Sequence, residues 1–272
     1  MEVLLNKNID INVVDYEGRT VLHHAASYYR ENCLQKLIKI PQLDVSIKDN
    51  YKLLAIEYAA IIGCKIGVEV IANRSTFSDQ QIHQLYFQSC MSQSYETWNF
   101  IVSYFSIDLR MQQEKTGRTC LHLATKCFNT LSGKFYSKIF TKLEKILGKE
   151  GLLSFVNFAC TKKETPLHYA VLHTNKLACK FLLLNGASIL VGDSQGFTPI
   201  DYCCRVGTAE LLEILLVDYD HSALSLSNVV SRKTSSLHIS CSFHNQDTAI
   251  LILKSLPSHH FDINSRDDSG VR

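Results

Sequence analysis

The chain has 272 residues, of which 46% are hydrophobic and 20% charged, an ordinary balance for a chain that folds around apolar cores. Its formal charge of +2 is far from the strongly basic balance of a protein held to phosphate backbones, so no nucleic-acid partner is expected. No apolar run nears the roughly 18–20 residues that span a bilayer, and the segment from Met1 to Lys7 lacks a charged stretch followed by an apolar one. Membrane insertion and secretion are therefore not expected, and a cytoplasmic or nuclear location is.

The first element is announced by Gly18-Arg19-Thr20-Val21-Leu22-His23-His24-Ala25-Ala26. Gly18 suits a turn of positive φ, Thr20 suits a helix N-cap through its hydroxyl, and the paired alanines let neighbouring helices approach. Leu34, Leu37 and Ile38 then return at helical spacing in a second helix. A fainter copy, Leu54 to Ala60, follows with Lys52 where the glycine is expected, so that turn must be reshaped or strained.

Between residues 77 and 113 the phrase is lost, but Ser78-Asp79-Gln80-Gln81 reads as a capping box opening a helix to about Ser89, and Tyr95 to Phe105 reads as a second amphipathic helix. The next clear copy is Gly117-Arg118-Thr119-Cys120-Leu121-His122-Leu123-Ala124. A long helix is expected after it, with Lys134, Lys138, Lys142, Lys145 and Lys149 on one face and Phe135, Ile139, Leu143 and Ile146 on the other.

Two strong copies come next, Glu164-Thr165-Pro166-Leu167-His168-Tyr169-Ala170 and Gly196-Phe197-Thr198-Pro199-Ile200-Asp201-Tyr202, with each proline at the first helical position. Lys163 takes the glycine position in the former. Leu211, Leu212, Leu215 and Leu216 mark a buried second helix, and Ser235-Ser236-Leu237-His238-Ile239 is a weaker copy with Lys233 at the glycine position.

The copies divide the chain into units at approximately 1–14 (partial), 15–48, 49–77, 78–113 (degenerate), 114–159 (with an insertion), 160–192, 193–229, 230–266 and 267–272 (partial). The period and the Thr-Pro-Leu-His-x-Ala phrase resemble the ankyrin repeat, a β-turn followed by two antiparallel helices with a period of about 33 residues. The resemblance covers almost the whole chain. It implies an all-α solenoid of ankyrin-repeat units, helix-turn-helix pairs with projecting β-hairpins, arranged as a single array. Because the chain opens and closes inside a unit, a piece of a longer protein is expected.

In the family, the histidine seen here as His23, His122, His168 and His238 braces the unit through hydrogen bonds, so its recurrence implies a structural role. The sequence contains no nucleophile elbow, zinc-protease, dinucleotide or kinase signature, and neither catalysis, a cofactor nor a bound metal is expected. The cysteines form no Cys-x-x-Cys; Cys203, Cys204 and Cys241 stand at small-residue positions of first helices, and Cys33 and Cys179 on the buried face of second ones, so all are expected to be reduced packing residues.

The resemblance further implies a scaffold for another protein, bound on the concave surface of turn tips and first helices. Carried onto this chain, the partner-binding positions are Tyr16, Glu17, Arg19, Tyr28, Asn50, Tyr51, Lys115, Arg118, Lys162, Glu164, His173, Gln195, Phe197, Arg205, Arg232 and Phe243. Tyr28, Tyr51 and Phe197 are the expected aromatic anchors, and Arg118, Lys162, Arg205 and Arg232 a basic stripe for an acidic partner. The alternative is a regulatory cytosolic region of a larger channel, enzyme or transcription or signalling regulator.

Overall fold

The computed structural model describes residues 10–92, 94–126, 133–217 and 236–255. They divide between two compact units, Met1–Leu109 and Arg110–Arg272. Unit 1 contains α1 (Val21–Ser27), α2 (Glu31–Leu37), α3 (Ala55–Ile62), α4 (Lys65–Ala72), α5 (Asp79–Met91) and α6 (Tyr95–Tyr104). Unit 2 contains α7 (Cys120–Ala124), α8 (Gly133–Val156), α9 (Pro166–Leu172), α10 (Lys176–Leu184), α11 (Pro199–Val206), α12 (Ala209–Val217), α13 (Ser236–Ser242) and α14 (Gln246–Ser255). In each unit the first helices of successive pairs stack on one another as an inner layer, and the second helices as an outer layer. No strand forms among the described residues; the projecting turns contain one isolated bridge, Lys48 with Leu54.

Apolar spacing explains the layers. Leu22, Leu34, Leu37, Ile56, Val68 and Ile71 are each at most 1% exposed, and burial of such a side chain is worth about 1.5–3 kcal/mol. Ala26, Ala59, Ala60, Ala170, Cys203 and Cys204 are fully buried, and these small side chains set how closely the helices approach. A single helix pair cannot bury this surface by itself, so stacking supplies the stability.

Helices α5 and α6 form as the sequence predicts. Gln81 Oε1 accepts the Ser78 N–H at 2.9 Å, closing the capping box, and the helix runs two residues beyond Ser89 to Met91. The pair lacks a projecting turn but is well packed, with Tyr86 and Trp98 fully buried.

The turns before α1, α3, α9 and α11 share one closure: the N–H of Asp15, Asp49, Cys160 or Asp193 donates to the carbonyl four residues on. In Asp15, Asp49 and Asp193 the carboxylate Oδ1 also accepts two backbone N–H groups, from the second and fourth following residues. The turn read from Glu114 is closed instead by Gln113 with Arg118, one residue longer. Gly18, Gly117 and Gly196 have φ of 76°, 65° and 83°; Lys52 and Lys163 adopt the same left-handed conformation, at 63° and 59°, so these two turns keep their shape at the cost of side-chain strain. Lys233, like the turn it would serve, lies outside the described residues.

Three sequence expectations need correction. The long helix is broken at Gly148 (φ 72°, ψ 173°), so Lys149 does not continue the basic face, and Ile146, expected among the buried residues, is 53% exposed. Cys33 is exposed, because it precedes the buried Leu34 and therefore faces about 100° away from it. Cys241 is exposed too, since only Ser240 of that small-residue pair turns inward.

Candidate protein-binding surface

The inner helices are locked to the next turn by one recurrent device. The backbone N–H of Thr20, Thr119 and Thr165 donates to Nδ1 of His23, His122 and His168 at 3.0–3.1 Å. With Nδ1 an acceptor, the proton sits on Nε2, which donates to Leu53 O, Glu164 O and Phe197 O at 3.2, 3.0 and 2.9 Å. Each imidazole thus reaches back to its own N-cap and forward to the following turn. The threonine hydroxyls also meet Nδ1, at 2.9 Å, rather than capping a backbone N–H as the sequence suggests; Thr198 does cap, accepting Asp201 N–H at 3.3 Å.

Burial lowers the pKa of all three histidines, that of His122 to about 4, with the bond to Glu164 O opposing the shift. They are neutral braces. Burial likewise pushes the Cys179 and Cys204 thiols up to about 12, and Cys203 is raised too, which removes the thiolate that reactivity needs.

In three units the residue after the brace position points at its own turn. Tyr58 OH donates to Asp49 Oδ2 at 2.6 Å, Tyr202 OH lies 3.0 Å from both Asp193 Oδ2 and Glu164 Oε1, and His24 Nε2 lies 2.8 Å from Asp15 Oδ2. Burial first, then the neighbouring carboxylates, raise the pKa of Tyr58 to about 12 and that of Tyr202 higher still. Tyr169 and Tyr202 were not among the expected site residues; their signal was the polar ring recurring directly after the brace position.

Adjacent tips are tied by single backbone bonds: Asn50 N–H to Glu17 O, Thr161 N–H to Thr116 O and Ser194 N–H to Lys162 O. In unit 1 these tips carry Tyr16 (88% exposed) and Tyr51 (69%), while Tyr28 (67%) sits at the C-cap of α1, stacked on His24. Glu17 and Arg19 are ion-paired with each other, and Asn50 Nδ2 donates to Tyr16 O, so these three expected residues also hold the turns together.

In unit 2, Lys115, Lys162 and Gln195 are exposed at the tips. The Arg118 guanidinium lies 4.8 Å above the Tyr169 ring, and His173 stands at the C-cap of α9 with its ring 6.2 Å from the same tyrosine. Arg205, at the end of α11, lies 5.9 Å from the centre of the half-exposed Phe243 ring. Glu164 is half-buried against Tyr202, and Phe197 is half-buried with its carbonyl on His168, so neither is a free-standing tip. Arg232 lies outside the described residues.

Among known proteins, a model described as ankyrin repeats in three copies matches residues 141–225, and one described as ankyrin repeats in many copies matches residues 1–38. An L-asparaginase of Dirofilaria immitis is 26% identical over 130 residues, 47% of this chain and 22% of that protein. NF-kappa-B inhibitor alpha of Gallus gallus is 30% identical over 104 residues, 38% of this chain and 30% of that protein. The chain therefore spans less than a third of either relative. The human ASB11 ankyrin repeat domain shares the fold, with a TM-score of 0.61 at 18% identity, covering 86% of this chain and 98% of that one. No helix among the described residues is long and apolar enough to cross a membrane. A turn that recurs with its imidazole brace, and repeat models that match residues 1–38 and 141–225, show that the chain carries ankyrin repeats.

Proposed function

We propose that the chain is a non-catalytic scaffold that binds another protein through its turn tips and inner-helix ends. Ankyrin repeats generally mediate protein–protein interaction, and the finer assignment rests on one observation. His23, His122, His168, Glu57 and Asp201 of the inner helices are occupied by bracing the fold, whereas Tyr16 and Tyr51 at turn tips and Tyr28 at a helix end in unit 1, and Lys115 and Lys162 at turn tips and Arg205 at a helix end in unit 2, stand exposed. Aromatic rings and arginine are the residues that most often dominate binding energy, and rim cations speed association with an acidic partner. No cofactor is needed for such a role, and we place it in the cytoplasm or nucleus.

A regulatory role fits the same surface. NF-kappa-B inhibitor alpha is by name an inhibitor, and the chain matches a part of it, so this array is proposed to act as the binding region of a larger regulator. The asparaginase match spans 22% of that enzyme and carries no catalytic assignment here.

The test is capture of a partner from lysate by the intact chain, followed by variants. Replacing Tyr16, Tyr28 and Tyr51 with serine should weaken capture about tenfold or more, and replacing Lys115, Lys162 and Arg205 with serine should slow association and flatten its salt dependence. Unchanged binding by both variants, with loss on altering Lys134 and Lys145 of α8, would move the site to the outer helices.

A further inference from the structure

We propose that Arg118, Lys126 and His173 form a carboxylate-binding subsite on unit 2 that receives a glutamate or aspartate from an acidic segment of the partner protein. The inference rests on the tip-side surface being the binding face, and it names the chemistry of what binds there.

Three elements bring the two cations and the imidazole together: the turn closed by Gln113 and Arg118, the chain just past the end of α7, and the C-cap of α9. Tyr169 is the floor shared by Arg118 and His173, with the Arg118 guanidinium 4.8 Å above its ring and the His173 ring 6.2 Å away. A guanidinium stacked in this way keeps its edge free for a bidentate bond to a planar carboxylate, and the stack fixes it before the ligand arrives. His173 is held below its usual pKa first by burial and then by the charges of Lys126 and Arg118, so all three groups share one electrostatic environment.

Neither Arg118 nor Lys126 is ion-paired with a carboxylate among the described residues, and Arg118 Nε is buried without a hydrogen bond. The nearby acids are Glu114, exposed in the same turn, and Glu164, whose Oε1 is engaged by Tyr202 OH at 3.0 Å. Arg19 closes the corresponding turn of unit 1 and makes the contrast plain: it is ion-paired with Glu17 and lies 3.6 Å from Asp15. Where unit 1 pairs its arginine with carboxylates of its own turn, the turn of unit 2 carries one acid, the exposed Glu114, which makes no ion pair with Arg118 among the described residues, and a partner's carboxylate would supply that pairing.

The direct test is fluorescence anisotropy of the full chain at low salt, with a fluorescein-labelled glutamate-rich peptide and the same peptide carrying glutamine instead. The glutamate probe should bind about tenfold tighter or more, and the double variant R118S/K126S should erase that preference. The α8 double variant K134S/K145S removes the same charge and should retain it. R118K keeps the charge but loses the planar fork, and should give an intermediate preference. Should R118S/K126S lose helicity, K126S alone, at an exposed position, should still lower the preference about threefold.

No preference for glutamate, no measurable binding of that probe, equal loss in the α8 variant, or stronger displacement by inorganic phosphate or oligothymidylate than by the unlabelled glutamate peptide would each overturn the proposal. A captured partner that still depends on the tip residues while glutamate preference is absent would refute the subsite alone. Glutamate preference with no dependence of the captured partner on the tips would refute the binding-face reading instead.

Discussion

The joints between inner helices are made in two chemical versions. At α1–α3, α7–α9 and α9–α11 the next unit offers a backbone carbonyl, and a neutral histidine donates to it. At α3–α5 and α11–α13 the next element offers a donor instead, Gln88 Nε2 or Ser236 Oγ, and the brace position carries Glu57 or Asp201. Both carboxylates still accept the backbone N–H of their own N-cap, Glu57 from Leu54 at 2.6 Å and Asp201 from Thr198 at 2.9 Å. The joint therefore fixes hydrogen-bond polarity rather than residue identity. The variant units are complementary to their neighbours.

The first way to probe the comparison separates the shared apolar layer from the tips. Leu167 is fully buried, so Leu167→Ala should cost about 2–5 kcal/mol, whereas Gln195→Ala at an exposed tip should be nearly neutral. Denaturant midpoints of the two variants decide it, and equal midpoints would mean the repeat register is wrong.

The second probe is pH. A histidine with a depressed folded pKa contributes stability above its unfolded value of about 6.5 and loses it as pH falls through the folded value, since only the unfolded chain then takes up protons. For His122 the window runs from about 6.5 down to about 4 and the loss is on the order of 3 kcal/mol, with His168 adding in the same direction. In unit 1, His23 acts likewise, but burial raises the Glu57 pKa, and that contribution is gained as pH falls. Urea melts at pH 7, 6 and 5 should show unit 2 weakening more than unit 1, which Trp98 reports by fluorescence. Equal weakening would contradict the two-version reading.

The sequence made the braces legible because a histidine recurring at one phrase position has a structural cause, and it marked the turns because glycine and threonine have narrow conformational uses. Lysine in a left-handed turn was legible as strain but not as retained geometry. The break in α8 had a signal in Leu147-Gly148-Lys149-Glu150-Gly151, outweighed by the lysine periodicity that runs across it. Of the candidate surface, the exposed positions of Tyr16, Tyr28 and Tyr51 agree with the register. The half-burial of Glu164 and Phe197 did not, because it arises from the neighbouring unit's Tyr202 and His168 rather than from their own turn.

A smaller effect is expected from exchanging the two versions. Glu57→Ala should cost about 1–3 kcal/mol by stranding the Leu54 N–H. Glu57→His should stay within about 1 kcal/mol, because the Gln88 amide can turn to present Oε1, which has no hydrogen-bond partner now. A histidine variant as damaged as the alanine one would mean that polarity matching does not govern the joint. Smallest of all, Lys163→Gly should raise stability by about 0.5–1 kcal/mol by releasing the left-handed strain, measured as a shift in denaturant midpoint.

The central claim is that this chain binds a protein through its tip side, and site-specific photo-crosslinking tests it most directly. Benzoylphenylalanine would be placed singly at Tyr16, Tyr51 and Lys162 at the tips and Arg205 at an inner-helix end, together the tip-side set, and at Lys36, Lys145 and Leu184 on the outer helices, all exposed positions. The account predicts that irradiation with the captured partner gives adducts from the tip-side positions and not from the outer helices. Adducts confined to the outer-helix positions would contradict it.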